Sequence, residues 1–292
     1  MATLDRSMLT RAIVAAPALA AAIVALIGLM DGGSSPVTHP ARQRAAAPAK
    51  VRKVDAGPGP PVLVAAARRE VRTPKAITRA GSTFLTVEGR RAVVSDVPKP
   101  RGKVALTFDD GPGPLTRAFI KRLGALHVKA TFFVVGYAVA RHPKVVRELR
   151  AAGMSIGNHG VTHGHLATMK PVQQRAEIES QERAIQRLVG YRPLFFRPPY
   201  RSYSLVTARE IAAAGMVGSL WSVDSQDYNR PGVKRIVRNA LTVRPGGVVL
   251  MHDFGGDRRQ TLAALRPIVR KLRRRGLEPV TLDDLYRAAS PP

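Results

Sequence analysis

"KVALTFDDGP", residues 103–112, runs a short apolar stretch into two adjacent aspartates and then a Gly-Pro turn. Val104–Phe108 has the length and residue types of a buried strand. Asp109 and Asp110 stand at its C-terminal end, where paired carboxylates are costly unless something uses or satisfies them. Alone, an Asp after a strand is often a helix N-cap. The rest of the chain decides between the two readings.

Downstream, short β-type runs alternate with amphipathic stretches. Strands are expected at Val104–Phe108, Thr131–Val135, Ser155–Gly157, Leu194–Phe196, Val217–Ser222 and Val248–Met251. Helices are expected at Pro143–Ala152, Pro171–Val189, Leu205–Ala214, Gly232–Leu241 and Arg259–Arg275. Such alternation predicts an α/β fold, a parallel sheet or barrel whose site lies at the C-terminal ends of its strands. The polar residues needing explanation all fall there. Asp109 and Asp110 follow the first strand, and Asn158, His159 and, four residues on, His163 follow the third. Arg197, Pro198, Pro199 and Tyr200 come after the fourth, Asp224 and Asp227 after the fifth, and His252 and Asp253 after the last.

Upstream, "STFLTVEGRRAVVSDV" reads as strand, turn at Glu88-Gly89-Arg90, strand, either packed on the main domain or part of a tether. Residues 31–60 are rich in Pro, Gly, Ala and Arg and read as a flexible linker. Ala12–Met30 is an uncharged run of 19 residues, preceded by Arg6 and Arg11. It is long enough to span a bilayer, and the flanking charges put its N-terminus in the cytoplasm. The expectation is an uncleaved signal anchor, single-pass, with a signal peptide cleaved near Ala45–Ala47 as the alternative; either puts the rest of the chain outside the cytoplasm.

The 292 residues carry 47 Lys and Arg against 20 Asp and Glu, a formal charge of +27, and no cysteine. The charge favours anionic surroundings such as lipid headgroups or a wall polymer. No zinc-finger, RNA-binding or basic-zipper pattern accompanies it, so no specific nucleic-acid partner is expected. Without cysteine there is no disulfide, thiolate metal site or Cys nucleophile. The basic run Arg270–Arg275 reads as a solvated helix end, His127 and His142 as surface residues, and Trp221 as core.

His159 and His163, four apart, can face one point from a helical turn or a tight loop. With a carboxylate they suit Zn²⁺ or a similar divalent ion, and two imidazoles plus one carboxylate leave positions open for water and substrate. HxxxH alone more often marks hydrogen-bonded or surface histidines. The conjunction of motifs, in order and at strand ends, is the strong signal.

"TFDDGP", "NHGVTH", "RPPY", "DSQDY" and "LMHD" resemble the five motifs of the polysaccharide deacetylase family, the NodB-homology domains of carbohydrate esterase family 4, over roughly residues 100–288. The resemblance implies a distorted (β/α) barrel that removes acetyl groups from glycans with a divalent metal ion. It implies Asp109 as catalytic base, Asp110, His159 and His163 as metal ligands, and Arg197 as the group orienting the base. It further implies Tyr200 as an oxyanion donor through its backbone N–H, His252 as general acid with Asp227 as its carboxylate partner, and Leu250 beside the acetyl methyl. Three positions depart from the family pattern: Tyr228 stands where Trp is usual, Arg201 where Gly is common, and His165 follows Gly164 where Pro often follows the second ligand. Tyr228 can still wall a sugar groove; none of the three removes a catalytic group.

The expected organisation is therefore a cytoplasmic stub and anchor helix over 1–30, a linker with a candidate β-hairpin over 31–97, and the catalytic domain over 98–292. The expected activity is metal-dependent, most plausibly Zn²⁺-dependent, N-deacetylation of an extracytoplasmic glycan such as peptidoglycan. Alternatives are an O-acetyl esterase, an inactive glycan-binding module and, disfavoured by the apolar N-terminus, a basic DNA-binding protein.

Overall fold

A computed structural model of the chain describes residues 75–79, 82–87, 90–97 and 102–288. The expected anchor and the linker over 31–60 lie outside the described residues. Among the described residues, no helix is long and apolar enough to cross a membrane.

The chain opens with three antiparallel strands, β1 (Lys75–Arg79), β2 (Ser82–Val87) and β3 (Arg90–Val94). The motif strand is β4 (Lys103–Asp109), followed by helix α1 (Thr116–Ala125). Then come β5 (Thr131–Val134), α2 (Gly136–Arg141), α3 (Pro143–Ala151), β6 (Ser155–Asn158) and α4 (Pro171–Val189). The last third holds β7 (Phe195–Phe196), α5 (Leu205–Ala213), β8 (Val217–Ser219), β9 (Val223–Asp224) and α6 (Val233–Ala240). It ends with β10 (Val248–His252), α7 (Arg259–Arg274), β11 (Glu278–Val280) and α8 (Leu282–Arg287).

From β3 onward the pairing is parallel, in the order β3-β8-β7-β6-β5-β4-β10-β9, with β11 alongside the start of β4. The single strand expected over Val217–Ser222 is instead two, broken at Leu220–Ser222. Because β8 pairs with β7 while β9 pairs with β10, consecutive strands of the chain lie near opposite ends of the arc. The sheet curls, and a strand that changes neighbours bridges its gap. The segment read as strand, turn, strand joins this sheet through β3, which pairs with β8 at Val93 and Val94.

The two-residue period of a strand sorts the side chains between two environments. In β4, Val104, Leu106 and Phe108 pack outward under the helices, with Phe108 stacked on Phe132 at 4.9 Å and edge-on to Phe119 at 5.3 Å. Ala105 packs in a separate inner cluster with Phe133, Phe195 and Val248, which Leu282 and Leu285 of α8 close at the N-terminal end of the strands. Thr107 and Asp109 share the inner face with Ala105. In β10, Val249 and Met251 go to the outer core, which leaves Leu250 and His252 facing inward. The alternation that builds the core thus also aims a carboxylate and an imidazole into the interior of the curl.

Candidate active site

The residues expected to have catalytic, substrate-binding or metal-binding roles lie at the C-terminal end of the parallel strands, lining or backing a pocket of about 440 Å³. Its walls include Asp109, Asp110, His159, His163, Tyr200, Leu250 and His252.

Asp109 is the last residue of β4 and is 3% exposed. Its Oδ1 accepts a hydrogen bond from Arg197 Nη1 at 2.7 Å. Arg197 is wholly buried and committed on every nitrogen. It donates to Thr107 Oγ1 (2.8 Å), the Ser219 carbonyl (3.2 Å) and the Leu220 carbonyl (3.1 Å), with its guanidinium 4.0 Å over the Phe133 ring. A cation fixed on several sides presents Asp109 in one orientation. Asp110 leaves the strand with φ of 77°, and both carboxylates reach His159 Nε2, Asp109 through Oδ2 at 3.7 Å and Asp110 through Oδ1 at 3.6 Å. The chain then turns through a cis Gly111-Pro112 bond. Gly111 leaves room for the Asp253 carboxylate, which a Cβ there would run into.

Asp110 Oδ1 lies 2.9 Å from His163 Nε2 and 3.6 Å from His159 Nε2, and one ligand atom from each residue falls within 4.8 Å of the others. The histidines sit on a loop after β6, not on a helix. His159 Nδ1 is 2.6 Å from the Arg197 carbonyl, an oxygen that can only accept, so Nδ1 donates there and Nε2 is the nitrogen turned toward Asp110. His163, at φ 62°, has its Nδ1 3.0 Å from the Tyr200 hydroxyl. Tetrahedral ligand atoms ~2.1 Å from an ion stand about 3.4 Å apart, and the separations here bracket that value. A carboxylate and two imidazoles with their far nitrogens held is a donor set that fits a divalent cation such as Zn²⁺. Burial acts to raise the Asp110 pKa, but hydrogen bonds from His159 and His163 outweigh it and hold the carboxyl well below the usual range, ionised as a ligand must be.

Opposite stands His252, the last residue of β10. Its Nδ1 is 2.8 Å from Asp227 Oδ1, while its backbone N–H and the Thr261 hydroxyl donate to Asp227 Oδ2 at 2.9 and 2.8 Å. Burial alone would lower the His252 pKa. The hydrogen bond and charge of Asp227, helped by the charges of Asp109 and Asp110, overcome it and raise it to about 9. Burial likewise opposes ionisation of Asp227, yet its bonds from His252 and Thr261 leave its pKa lowered, so the pair stands as carboxylate and imidazolium at neutral pH.

Tyr200 has φ of 57°, and its backbone N–H has no partner among the described residues. Its ring stacks on His165 at 4.3 Å, which accounts for that third histidine as a ring partner of Tyr200. Tyr228 is half-exposed at the rim, edge-on to His252 at 5.6 Å and bonded to Asp224 Oδ2 at 3.2 Å. Leu250 is buried in the floor. His127 and His142 are exposed. Trp221, expected in the core, is partly buried against two core clusters and, at the break between β8 and β9, also lines the pocket.

Three contributors, Glu177, Gly160 and Arg258, escaped the sequence reading, whereas Asp253 was singled out without a role. Glu177 of α4 is buried and accepts from Val161 N–H (2.7 Å), Thr162 N–H (2.9 Å) and Thr162 Oγ1 (2.8 Å), pinning the loop between the two histidines. Gly160 admits that carboxylate at a φ of 76°, where a Cβ would stand 2.9 Å from it. Arg258 reaches the pocket wall while donating to the Phe254 and Gly255 carbonyls. Asp253, fully buried, accepts from Thr116 Oγ1, leaves Oδ1 without a partner among the described residues, and is pushed by burial up to about 7.

A family model described as polysaccharide deacetylase matches residues 96–218. A chitooligosaccharide deacetylase of Bradyrhizobium sp. is 36% identical over 217 residues, which are 70% of this chain and 99% of that protein. A peptidoglycan-N-acetylglucosamine deacetylase of Bacillus cereus is 34% identical over 199 residues, 67% of this chain and 93% of the other. The solved structure of a peptidoglycan N-acetylglucosamine deacetylase in complex with 4-naphthalen-1-yl-N-oxidanyl-benzamide is similar with a TM-score of 0.65 at 33% identity, covering 67% of this chain and 93% of that one. Matched across nearly the whole length of such relatives, the chain belongs to the polysaccharide deacetylase family.

Proposed function

We propose that this chain hydrolyses the N-acetyl groups of an N-acetylglucosamine-containing polymer, peptidoglycan foremost, outside the cytoplasm, with a divalent cation, Zn²⁺ by preference, held by Asp110, His159 and His163. The observation that carries the reading is the arrangement around one pocket: Asp109 locked by Arg197, three ligand groups beside it, and an imidazolium held by Asp227 across from both. When bound, a divalent cation supplies Lewis acidity that polarises the acetyl carbonyl and makes a water molecule easier to deprotonate. The remaining work belongs to side chains. Asp109 takes the proton of the attacking water, and Arg197 keeps it aimed there. The Tyr200 N–H donates to the oxygen where negative charge develops. His252, protonated at neutral pH, gives its Nε2 proton to the departing nitrogen, and Asp227 keeps Nδ1 occupied so that Nε2 faces the pocket. Leu250 packs against the acetyl methyl, while Tyr228 and Trp221 supply flat walls for the sugar ring.

The membrane-tethered placement rests on Ala12–Met30, and the glycan on the names of the relatives. The test is the product formed by the full chain from peptidoglycan, chitooligosaccharides and O-acetylated xylan. Free amine with released acetate from the first two supports the proposal, and the faster one names the substrate. Acetate from xylan alone, with no new amine, makes it an O-acetyl esterase; no acetate from any substrate in a metal-loaded, folded chain makes it a binding module.

A further inference from the structure

The charge of the chain is not spread evenly over its folded part. The outer helices follow the order α6, α7, α1, α3, α4, α5, each packed against the next. Helices α3, α4, α5 and α8 carry seven Asp and Glu among their basic residues. Helices α1, α6 and α7 carry none. In α6, Lys234, Arg235 and Arg238 are exposed; in the neighbouring α7, Arg266, Arg270 and Lys271 are exposed. None of these six has an ion-pair partner among the described residues. The neighbouring acids are already taken: Asp257 by Arg259, Glu278 by Arg273 and Glu148 by Arg117. Arg275 donates to the Leu241 and Val243 carbonyls, tying the end of α7 to the end of α6, so the two helices present their cations together. Exposed cations lie on other helices too, such as Lys144, Arg147 and Arg150 of α3, where an acid stands among them; α6 and α7 are an adjacent, tied pair that presents cations with no acid between them.

We propose that the α6–α7 face docks on anionic phospholipid headgroups and lays the catalytic domain side-on against the membrane. Three observations favour a lipid surface over a single polymer strand. The cations spread over two adjacent helices rather than lining the groove of the active site. The large apolar side chains exposed among the described residues, Tyr137, Val172, Tyr200, Leu205 and Tyr228, all lie elsewhere, so the face suits contact with headgroups and not insertion. The sequence also puts 44 residues between Met30, the end of the apolar run, and β1, so the domain is covalently tethered to any bilayer the run enters. In this orientation the pocket, at the strand ends, opens along the membrane surface and not into it.

The chain has no cysteine, so one introduced cysteine labels one site. Ala263→Cys on α7 and Ala176→Cys on α4 are both exposed positions and serve as test and control. Each labelled full chain is mixed with phosphatidylcholine vesicles that carry a headgroup energy acceptor, with and without phosphatidylglycerol. The proposal expects energy transfer from the Ala263 position to rise with phosphatidylglycerol and to fall back in ~1 M salt, where the screening length is only about 3 Å, and expects no such change at Ala176. An Arg235→Gln, Arg238→Gln, Arg270→Gln variant should lose the effect, about fivefold in affinity per cation removed, while its acetate release from soluble oligomers stays unchanged and certifies the fold. Equal transfer from both labels, or an effect that survives in the triple variant, overturns the proposal. Tighter binding of this face to inorganic polyphosphate than to vesicles at equal phosphate overturns it in favour of a soluble polyanion.

Discussion

Replacing Asp227 by Asn keeps the shape of the side chain beside His252 but removes its charge. In the native site the His252 pKa is raised from its ordinary 6.5 to about 9, against a burial that acts to lower it. The rise is therefore owed first to Asp227 and only then to Asp109 and Asp110. A group with a pKa of about 9 is roughly 97% protonated at pH ~7.5, whereas one at 6.5 is roughly 10% protonated. Without the Asp227 charge, burial pulls His252 to 6.5 or below, so the population able to donate a proton falls about tenfold. Loss of orientation adds to this, within the ~10²–10⁴ that a positioned general acid contributes. A cation held by Asp110 cancels part of the carboxylate field, so the alkaline limb of the loaded enzyme lies at or below about 9, and the effect of Asp227 remains. The assay is kcat/KM for acetate release from pH ~5 to ~10. The variant should lose its alkaline limb first, with a deficit large at pH ~8 and narrowing toward pH ~5.5. Parallel profiles with the alkaline limb in the same place would refute the assignment of His252 as the acid and Asp227 as its support.

Arg197→Met should destabilise the fold by about 3–5 kcal/mol, because it strands the buried charge of Asp109; urea unfolding measures this, and a loss below ~1 kcal/mol contradicts the pairing. Glu177→Ala removes three hydrogen bonds from the loop between the metal-site histidines, and should weaken cation affinity by about 10–100-fold in competition with a chelating dye. Asp253, pushed up to about 7 by burial, holds a proton in the folded state that it lacks when unfolded between its ordinary 3.8 and about 7. Its contribution to stability is thus present at low pH and lost as pH rises through that window. Asp253→Asn should raise the melting temperature more at pH ~8 than at pH ~4, and an equal shift at both would contradict a buried carboxyl of raised pKa.

Much of this was legible in the sequence because the informative residues sit at strand ends. Val104–Phe108 announced β4, and a strand exposes its next residues at the rim of the sheet, so Asp109 and Asp110 could be placed before any contact was known. The same logic located His159, Arg197 and His252. Contacts between elements distant in sequence were not legible. Glu177 reads as one more charge on an amphipathic helix, and only the fold brings the histidine loop over it. Trp221 reads as core because Val217–Ser222 looks like one strand; the break at Leu220–Ser222 answers the need to close a curled sheet, which no local pattern encodes. The Tyr200 hydroxyl, bonded to His163, was hidden behind the expected role of its backbone. Helix α1 went unread because it is short and three of its ten residues are basic, and its apolar side chains show their purpose only once Phe119 meets Phe108.

The most direct test of the central claim is a titration of the chelator-treated full chain with Zn²⁺, with acetate release from N-acetylglucosamine oligomers as the readout and Asp109→Asn beside it. The account predicts no activity in the stripped chain, recovery complete at one equivalent per chain, and an Asp109→Asn variant that still takes up one equivalent of Zn²⁺ but remains ~10²–10⁴-fold slower. Acetate release that survives stripping, or that survives the loss of the Asp109 charge, would contradict a reaction built on one cation and one carboxylate base.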